Sequence, residues 1–435
     1  MKTMTLRNVG PIRKTELSFG DLTVLVGPQA TGKSIALQFL KLLLDKGQVH
    51  QQLTHYGIDW SGKETSFIDA YFGEDMHAIW SAHSAVERDG KALAMKQLAR
   101  RGKAASGEHV FMIPAQRVLT LRNGWPRPFT DYAPGDPFAV RDFSEKLRTL
   151  VEQEFGAKEQ LFPQKGRLKN EIRNLLTKHV FGGFTLKVNK VASQKRLVLE
   201  RGADPLPHMV WSAGQREFVP LLLGLYWLMP PAHIATRGDI KWVVLEELEM
   251  GLHPRAINVV LLMVLELVMR GYKVCVSTHA TQVLEAVWAI QQLKEANADA
   301  RTLLKMFECP ATQQMLRLAE EVLEKRFKVY YFDYDTRESS DISRLDPDAE
   351  SKLEACWGGL GEFSARANTA VANAVAAVGG PWLCAVRFAG DTGADRGRCG
   401  HAHPSSSGGD RREHPRAAFL AGYVACRRRI GGVAG

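Results

Sequence analysis

At 435 residues and 45% hydrophobic composition, the chain is long enough for a sizeable core and for more than one domain. No stretch reaches the roughly 18 uncharged apolar residues of a membrane helix, the N-terminus lacks an apolar signal segment, and six cysteines without C-x-x-C spacing fit a reducing, cytoplasmic setting rather than a disulfide framework. The net charge of +10 does not by itself mark a nucleic-acid footprint, because nine Arg against four acidic residues lie from Pro381 onward and leave 48 basic and 43 acidic side chains elsewhere.

In chain order, "MKTMTLRNVGPIRKTELSFG" reads as short strands, and "DLTVLV" (Asp21 to Val26) as a strand buried on both faces. Gly27, Pro28, Gln29, Ala30, Thr31, Gly32, Lys33 and Ser34 then fit G-x-x-x-x-G-K-[ST], and "IALQFLKLLLDK" continues at helical spacing. Strand, glycine loop and helix in that order make a phosphate cradle. Backbone N–H groups point at phosphate oxygens, and the helix start adds partial positive charge. Lys33 is expected to reach the β- and γ-phosphates of ATP and the Ser34 hydroxyl to bind Mg²⁺.

A long insertion follows, roughly residues 45–180. "SAVERDGKALAMKQLARR", "DFSEKLRTLVEQEF" and "GRLKNEIRNLLTKHVF" read as helices, with the apolar strand "HVFMIPAQR" and a Pro/Gly-rich loop between them. "GFTLKVNKVASQKRLVLERG" reads as two strands around a polar turn. "WSAGQRE" then places Ser212, Gly214 and Gln215 at the start of an apolar helix, a second place able to accept anionic oxygens. One ATP needs one cradle, so a second implies a site shared between two copies, a homodimer formed on ATP binding. "KWVVLEE" is an apolar strand ending in two carboxylates, Glu246 for the metal and Glu247 for the attacking water. "VCVSTHA" puts His279 just past another strand, in position to hydrogen-bond a γ-phosphate. "TLLKMFECPATQQMLRLAEEVLEKRFKVYYFDYD" reads as a helix and a last strand. From about residue 379 the chain is rich in Gly, Ala and Arg, lacks Lys and has no usable periodicity, so disorder is expected. The abrupt loss of Lys suggests a shifted reading frame; the alternative is a basic arm for nucleic acid. The "CGHAH" run at Cys399 to His403 is read as incidental rather than as a metal site.

"GPQATGKS", "SAGQ", "VVLEELEMGLHP" and "STHA" together resemble the Walker A, signature, Walker B plus D-loop, and His-switch segments of ABC-type ATPases. The form E-x-x-L-H-P is similar to the soluble branch that contains RecF, SMC-like and OLD-like proteins, the AAA-family ATP-binding proteins. The resemblance covers roughly residues 1–375, although much of 45–200 matches only in layout. It implies an α/β P-loop NTPase fold of ABC-ATPase type with β-rich N-terminal strands and a helical insertion, an ATPase domain over 1–378 and a tail over 379–435. It also implies ATP hydrolysis, with Gln116 in "IPAQR" as a Q-loop metal ligand. Two positions depart from the pattern: Glu246 stands where Asp is commoner, lengthening the reach to the metal by one methylene, and Leu248 replaces a frequent Pro. Slow turnover is the expected consequence. Relatives of this layout occur in phage-defence and toxin-like systems, which implies a regulatory ATPase acting on a separate effector. The alternative is a DNA-binding ATPase of RecF or SMC type in repair or recombination. The chain lacks the long heptad arms of SMC proteins and shows no acidic metal cluster after residue 290 of the kind that OLD nuclease modules carry. The long insertion and the L-H-P form argue against a transporter subunit, so no membrane partner is expected.

Overall fold

The computed structural model describes residues 1–378 apart from 103–106, 134, 156–158, 165, 192–193, 203, 231–235, 347–348, 356 and 361. The tail expected to be disordered, 379–435, lies outside the described residues.

The N-terminal strands form as their alternation predicts. Strands β1 (Thr3–Val9) and β2 (Ile12–Ser18) pair antiparallel and bury Leu6, Val9, Ile12 and Leu17 on one side. Strand β3 (Leu22–Val26) is buried throughout and feeds the glycine loop and helix α1 (Lys33–His55). Helix α2 (Glu64–Phe72) packs Phe67, Ile68 and Tyr71 into the same core.

The next segment corrects the sequence expectation. "SAVERDGKALAMKQLARR" is not one helix: strands β4 (Trp80–Arg88) and β5 (Lys91–Leu93) form a hairpin, followed by the short helix α3 (Met95–Ala99). Asp89 and Gly90 both take positive φ, 51° and 76°, the conformation that a two-residue hairpin turn demands. The Asp89 carboxylate also accepts hydrogen bonds from the backbone N–H groups of Lys2 (2.5 Å) and Thr3 (2.9 Å), tying the turn to the start of β1. Turn chemistry and pairing with β1 thus override the helix propensity of Ala, Lys and Glu. The resulting sheet runs β2-β1-β4-β5.

The insertion is likewise not purely helical. Its strand β6 (Val110–Ile113) is fully buried and joins the central sheet. A short hairpin, β7 (Leu121–Arg122) with β8 (Trp125–Pro126), precedes helix α4 (Phe138–Thr149). Strand β9 (Gln160–Phe162), helix α5 (Asn170–His179), and strands β10 (Thr185–Val191), β11 (Gln194–Arg201) and β12 (Asp204–Pro207) follow. They give an antiparallel sheet ordered β12-β11-β10-β9.

A cluster of buried charges fastens α1 to this insertion. The Lys41 ammonium donates to Glu108 Oε1 and to the Val110 carbonyl, both at 2.8 Å, and lies 3.5 Å from Asp142. Burial opposes the Lys41 charge, but Glu108, Asp142 and Asp45 outweigh it and hold the pKa above the ordinary lysine value. Asp45 in turn accepts from the N–H groups of His109 and Val110, setting the start of β6 against α1.

Helix α6 (Ala213–Leu228) leads to β13 (Trp242–Glu246), α7 (Pro254–Met269), β14 (Lys273–Thr278) and α8 (Thr281–Glu295). The single helix expected next is two, α9 (Ala300–Met306) and α10 (Gln313–Leu323), separated at Cys309-Pro310, where proline cannot continue a helix. Strands β15 (Phe327–Phe332) and β16 (Ser339–Asp341) complete a six-stranded sheet ordered β16-β15-β3-β14-β13-β6, parallel except at β16. The fold is therefore mixed α/β.

Register decides where chemistry is possible. Val26 pairs with Thr278, and Glu246 with Ser277, so β3, β14 and β13 end together. The glycine loop, the two glutamates and His279 therefore leave the sheet at one carboxyl edge, where open α/β sheets bind ligands. The first compact unit is Met1–Leu345. Helices α11 (Lys352–Ala355) and α12 (Glu362–Val378) belong to the second. Among the described residues no helix is long and apolar enough to cross a membrane.

Candidate functional site

The loop between β3 and α1 has the backbone that an anion cradle requires. Gly27 (φ 145°), Ala30 (φ 60°) and Gly32 (φ 95°) all take positive φ. A Cβ on Gly27 would lie 2.3 Å from the Phe332 carbonyl oxygen, so β15 packs too closely for any side chain there. Gly32 is the N-cap of α1, and the helix's first N–H groups have no intrahelical acceptor. Pro28, Gln29 and Ala30 are exposed, while Thr31 is buried and donates its hydroxyl to the Pro28 carbonyl.

Lys33 is buried at the base of the loop. Its ammonium donates to the carbonyls of Gly27 (2.8 Å) and Pro28 (2.6 Å) and, at 3.4 Å, to the Thr31 hydroxyl. Burial lowers its pKa to about 8, against the opposing charges of Glu247 and Glu249. A phosphate at the loop favours the charged amine, so binding takes up a proton wherever the free amine is neutral. Nucleotide affinity is therefore expected to be level below about pH 8 and to weaken above it, by up to about tenfold per pH unit. Titration of a fluorescent ATP analogue at stepped pH reads this directly; Lys33→Ala binds more weakly and loses the break.

Opposite the loop, Glu246 ends β13 fully buried. Its Oε2 accepts from the Ala115 N–H at 3.1 Å, and its Oε1 has no hydrogen-bond partner. Burial raises its pKa, a shift that the adjacent Ser34 hydroxyl and the Ala115 N–H oppose and that Glu247 reinforces. An orphaned carboxylate oxygen beside a hydroxyl fits Mg²⁺, a hard cation that takes one or two protein oxygens and fills its shell with water and phosphate. Gln116 is exposed, and among the described contacts its side chain reaches neither Ser34 nor Glu246; the Ala115 backbone stands against the carboxylate instead.

Glu247 takes φ 45°, which a non-glycine residue holds only when its surroundings fix it. Two groups do so. The Glu247 N–H donates to the Ser277 carbonyl at 2.9 Å, and Arg117 Nη2 donates to the Glu247 carbonyl at 3.0 Å. The side chain is half-buried, with Oε1 3.7 Å from His279 Nε2. Glu249 accepts the His279 N–H at 2.5 Å and so aims the residue.

Three residues here escaped sequence reading: Arg117, Glu217 and Glu249. Arg117 is fully buried, donating Nη1 to the Glu246 carbonyl (2.9 Å) and Nε to the Glu217 carbonyl (3.2 Å), with the Glu217 carboxylate 3.5 Å away. It joins α6 to both strand-end glutamates. The only signal was an arginine four residues past the end of a buried strand, in "PAQR".

At the start of α6, Ser212 and Gln215 form a reciprocal capping box: Ser212 Oγ accepts from the Gln215 N–H, and Gln215 Oε1 from the Ser212 N–H. The N–H groups of Ala213 and Gly214 come first in the helix, without an intrahelical acceptor. Gly214 lacks a side chain because the Gly251 carbonyl would stand 2.7 Å from its Cβ. Ser212 and Ala213 are exposed, and among the described contacts none joins Ser212, Gly214 or Gln215 to the loop at Gly27–Ser34. The structure thus gathers Lys33, Ser34, Glu246, Glu247 and His279, and among the described contacts the second helix start meets Gly251 rather than the glycine loop.

No protein-family model matches the chain, and no curated protein matches it significantly. Its fold is similar to solved structures at low identity. An Smc head bound to the C-terminal winged-helix domain of ScpA is 12% identical over 78% of this chain and 96% of that one, with a TM-score of 0.37. A bacterial ABC transporter cassette, solved as a dimer, is 11% identical over 78% and 98%, with a TM-score of 0.32. The recombination mediator RecF is 11% identical over 65% and 93%, with a TM-score of 0.31. Likenesses with TM-scores below 0.5 carry no weight in assigning chemistry, which rests on the loop, strand ends and helix starts of this chain.

Proposed function

We propose that the chain is an ABC-type ATPase that hydrolyses ATP at composite sites of a nucleotide-linked homodimer and thereby regulates or powers a separate effector protein. The observation that supports the dimer is the start of α6: an exposed, anion-accepting helix end that its own glycine loop does not use. In this reading Lys33 and the loop N–H groups of one subunit hold the phosphates, and Ser212 with the Ala213 and Gly214 N–H groups of the other subunit close on them. Ser34 and Glu246 hold Mg²⁺, which when bound neutralises phosphate charge. Glu247 orients the attacking water and takes its proton, the role of a general base. His279, aimed by Glu249, hydrogen-bonds the γ-phosphate and registers its loss. Dimerisation is then linked to nucleotide by mass action, and two-fold symmetry gives two equivalent sites.

Mixing two inactive variants tests the shared site. Lys33→Ala removes the loop's cation, and Ser212→Arg blocks the helix start. A mixed pair retains one intact site, with Lys33 from one subunit and Ser212 from the other, so the mixture is expected to regain hydrolysis that neither variant shows alone. Activity of the mixture no greater than the sum of its parts would overturn the shared site.

A further inference from the structure

A second charged concavity lies outside the residues assigned above. The hairpins β7–β8 and β10–β11 border an open cleft of about 690 Å³ whose lining includes Arg122, Trp125, Arg127, Gln194, Lys195 and Arg196. Its two carboxylates do not balance it. Asp131 pairs with both Arg122 (3.2 Å) and Arg127 (2.8 Å), and Glu152 is held by Arg148 (2.6 Å). Among the described residues Arg196 donates to the Gln194 side-chain oxygen and neither it nor Lys195 meets a carboxylate.

The strand register adds a second observation. Lys190 and Lys195 are direct cross-strand partners, both exposed, whereas Lys187, nearer the base of the same hairpin, is neutralised by Glu200. Like charges directly opposite destabilise a strand pair, and an anion laid along the hairpin removes that cost. The cations of the cleft come from two separate hairpins rather than one point, which suits a polyanion. The half-buried Trp125 ring in the same wall supplies a flat apolar surface, which an acidic peptide does not need and an unpaired base does.

We infer that this cleft binds single-stranded nucleic acid, with backbone phosphates along Lys195, Arg196 and Arg122 and a base against Trp125. The site does not depend on the ATPase reading, and its test omits nucleotide. Fluorescence anisotropy of a labelled oligothymidylate with the full chain is expected to show binding that weakens with salt, with a log–log slope of about −2 for roughly three neutralised phosphates. Lys195→Gln with Arg196→Gln should cut affinity about tenfold and bring the slope to about −1. Trp125→Ala should also cost about tenfold but leave the slope unchanged. Thermal unfolding checks each variant; if the double substitution lowers the midpoint, the exposed Lys195→Gln alone carries the charge test, with a smaller loss of slope. No binding overturns the inference. So does binding that none of these substitutions alters, which would point to the arginines of residues 379–435. Equal competition by polyglutamate with no effect of Trp125→Ala would make the cleft an acidic-peptide site and also overturn it.

Discussion

Glu247→Gln is expected to lower ATP hydrolysis by about 10²- to 10⁴-fold, the range that loss of a positioned general base produces, while ATP binding persists. The substitution keeps the size of the side chain and its hydrogen-bonding reach and removes only the ability to accept a proton. The backbone is also preserved, because Ser277 and Arg117 grip the main chain of residue 247 rather than its carboxylate. Binding and hydrolysis are therefore separable at this residue. If hydrolysis releases the two subunits, blocking it accumulates the ATP-loaded dimer. Single-turnover hydrolysis and light-scattering mass in ATP and Mg²⁺ read both effects. A persistent monomer with nucleotide bound would refute the nucleotide-linked dimer. An unchanged rate would move the base elsewhere, with Glu249 the nearest alternative because its charge also reaches Lys33. Glu249→Gln should instead give a milder loss, since its carboxylate meets the His279 backbone.

Some of this was legible in the sequence, for a local reason. The glycine loop needs only eight consecutive residues and a strand and helix on either side, and the strand ends at Glu246 and His279 announce themselves by three or four buried apolar residues before polar ones. The capping box at Ser212 and Gln215 is equally local. Legibility failed where meaning came from pairing. The Asp89-Gly90 turn was written in the sequence, but β4 and β5 keep exposed charged faces that read as helix until β1 is placed beside them. Gln116 and Arg117 are neighbours, yet one is exposed and the other buried, and no periodicity distinguishes them. The three glutamates that define the environment of Arg117 lie about a hundred or more positions away along the chain. The basic cleft was hidden for a related reason: a mixture of 48 basic and 43 acidic side chains before Pro381 conceals cations that two hairpins bring to one cleft.

Arg117→Met should show whether that buried arginine positions the Glu247 carboxylate or merely fills space. Removing the guanidinium takes the donor from the Glu246 carbonyl, leaves the Glu247 carbonyl with the Met250 N–H, and leaves the largely buried Glu217 carboxylate without its cation. Breaking such a pair costs about 3–5 kcal/mol of stability. A misplacement of order 1 Å at Glu247 costs about 10²-fold in turnover, so kcat should fall by that factor while ATP affinity, set at the loop by Lys33, changes little. Stability and turnover then need separating, because a loosened protein also loses activity. Arg117→Met combined with Glu217→Leu replaces the charged pair by apolar groups, which is often neutral or stabilising. That double variant should recover the thermal midpoint yet keep the low kcat, since the Glu246 carbonyl remains without its donor and Glu247 keeps its positive φ without the Arg117 bond. Arg117→Lys should recover only part of the rate, because one ammonium cannot span the carbonyls of Glu217, Glu246 and Glu247 as the planar fork does. If turnover returns together with stability in the double variant, Arg117 is structural only, and the strained turn at Glu247 is held by Ser277 and Met250 without it.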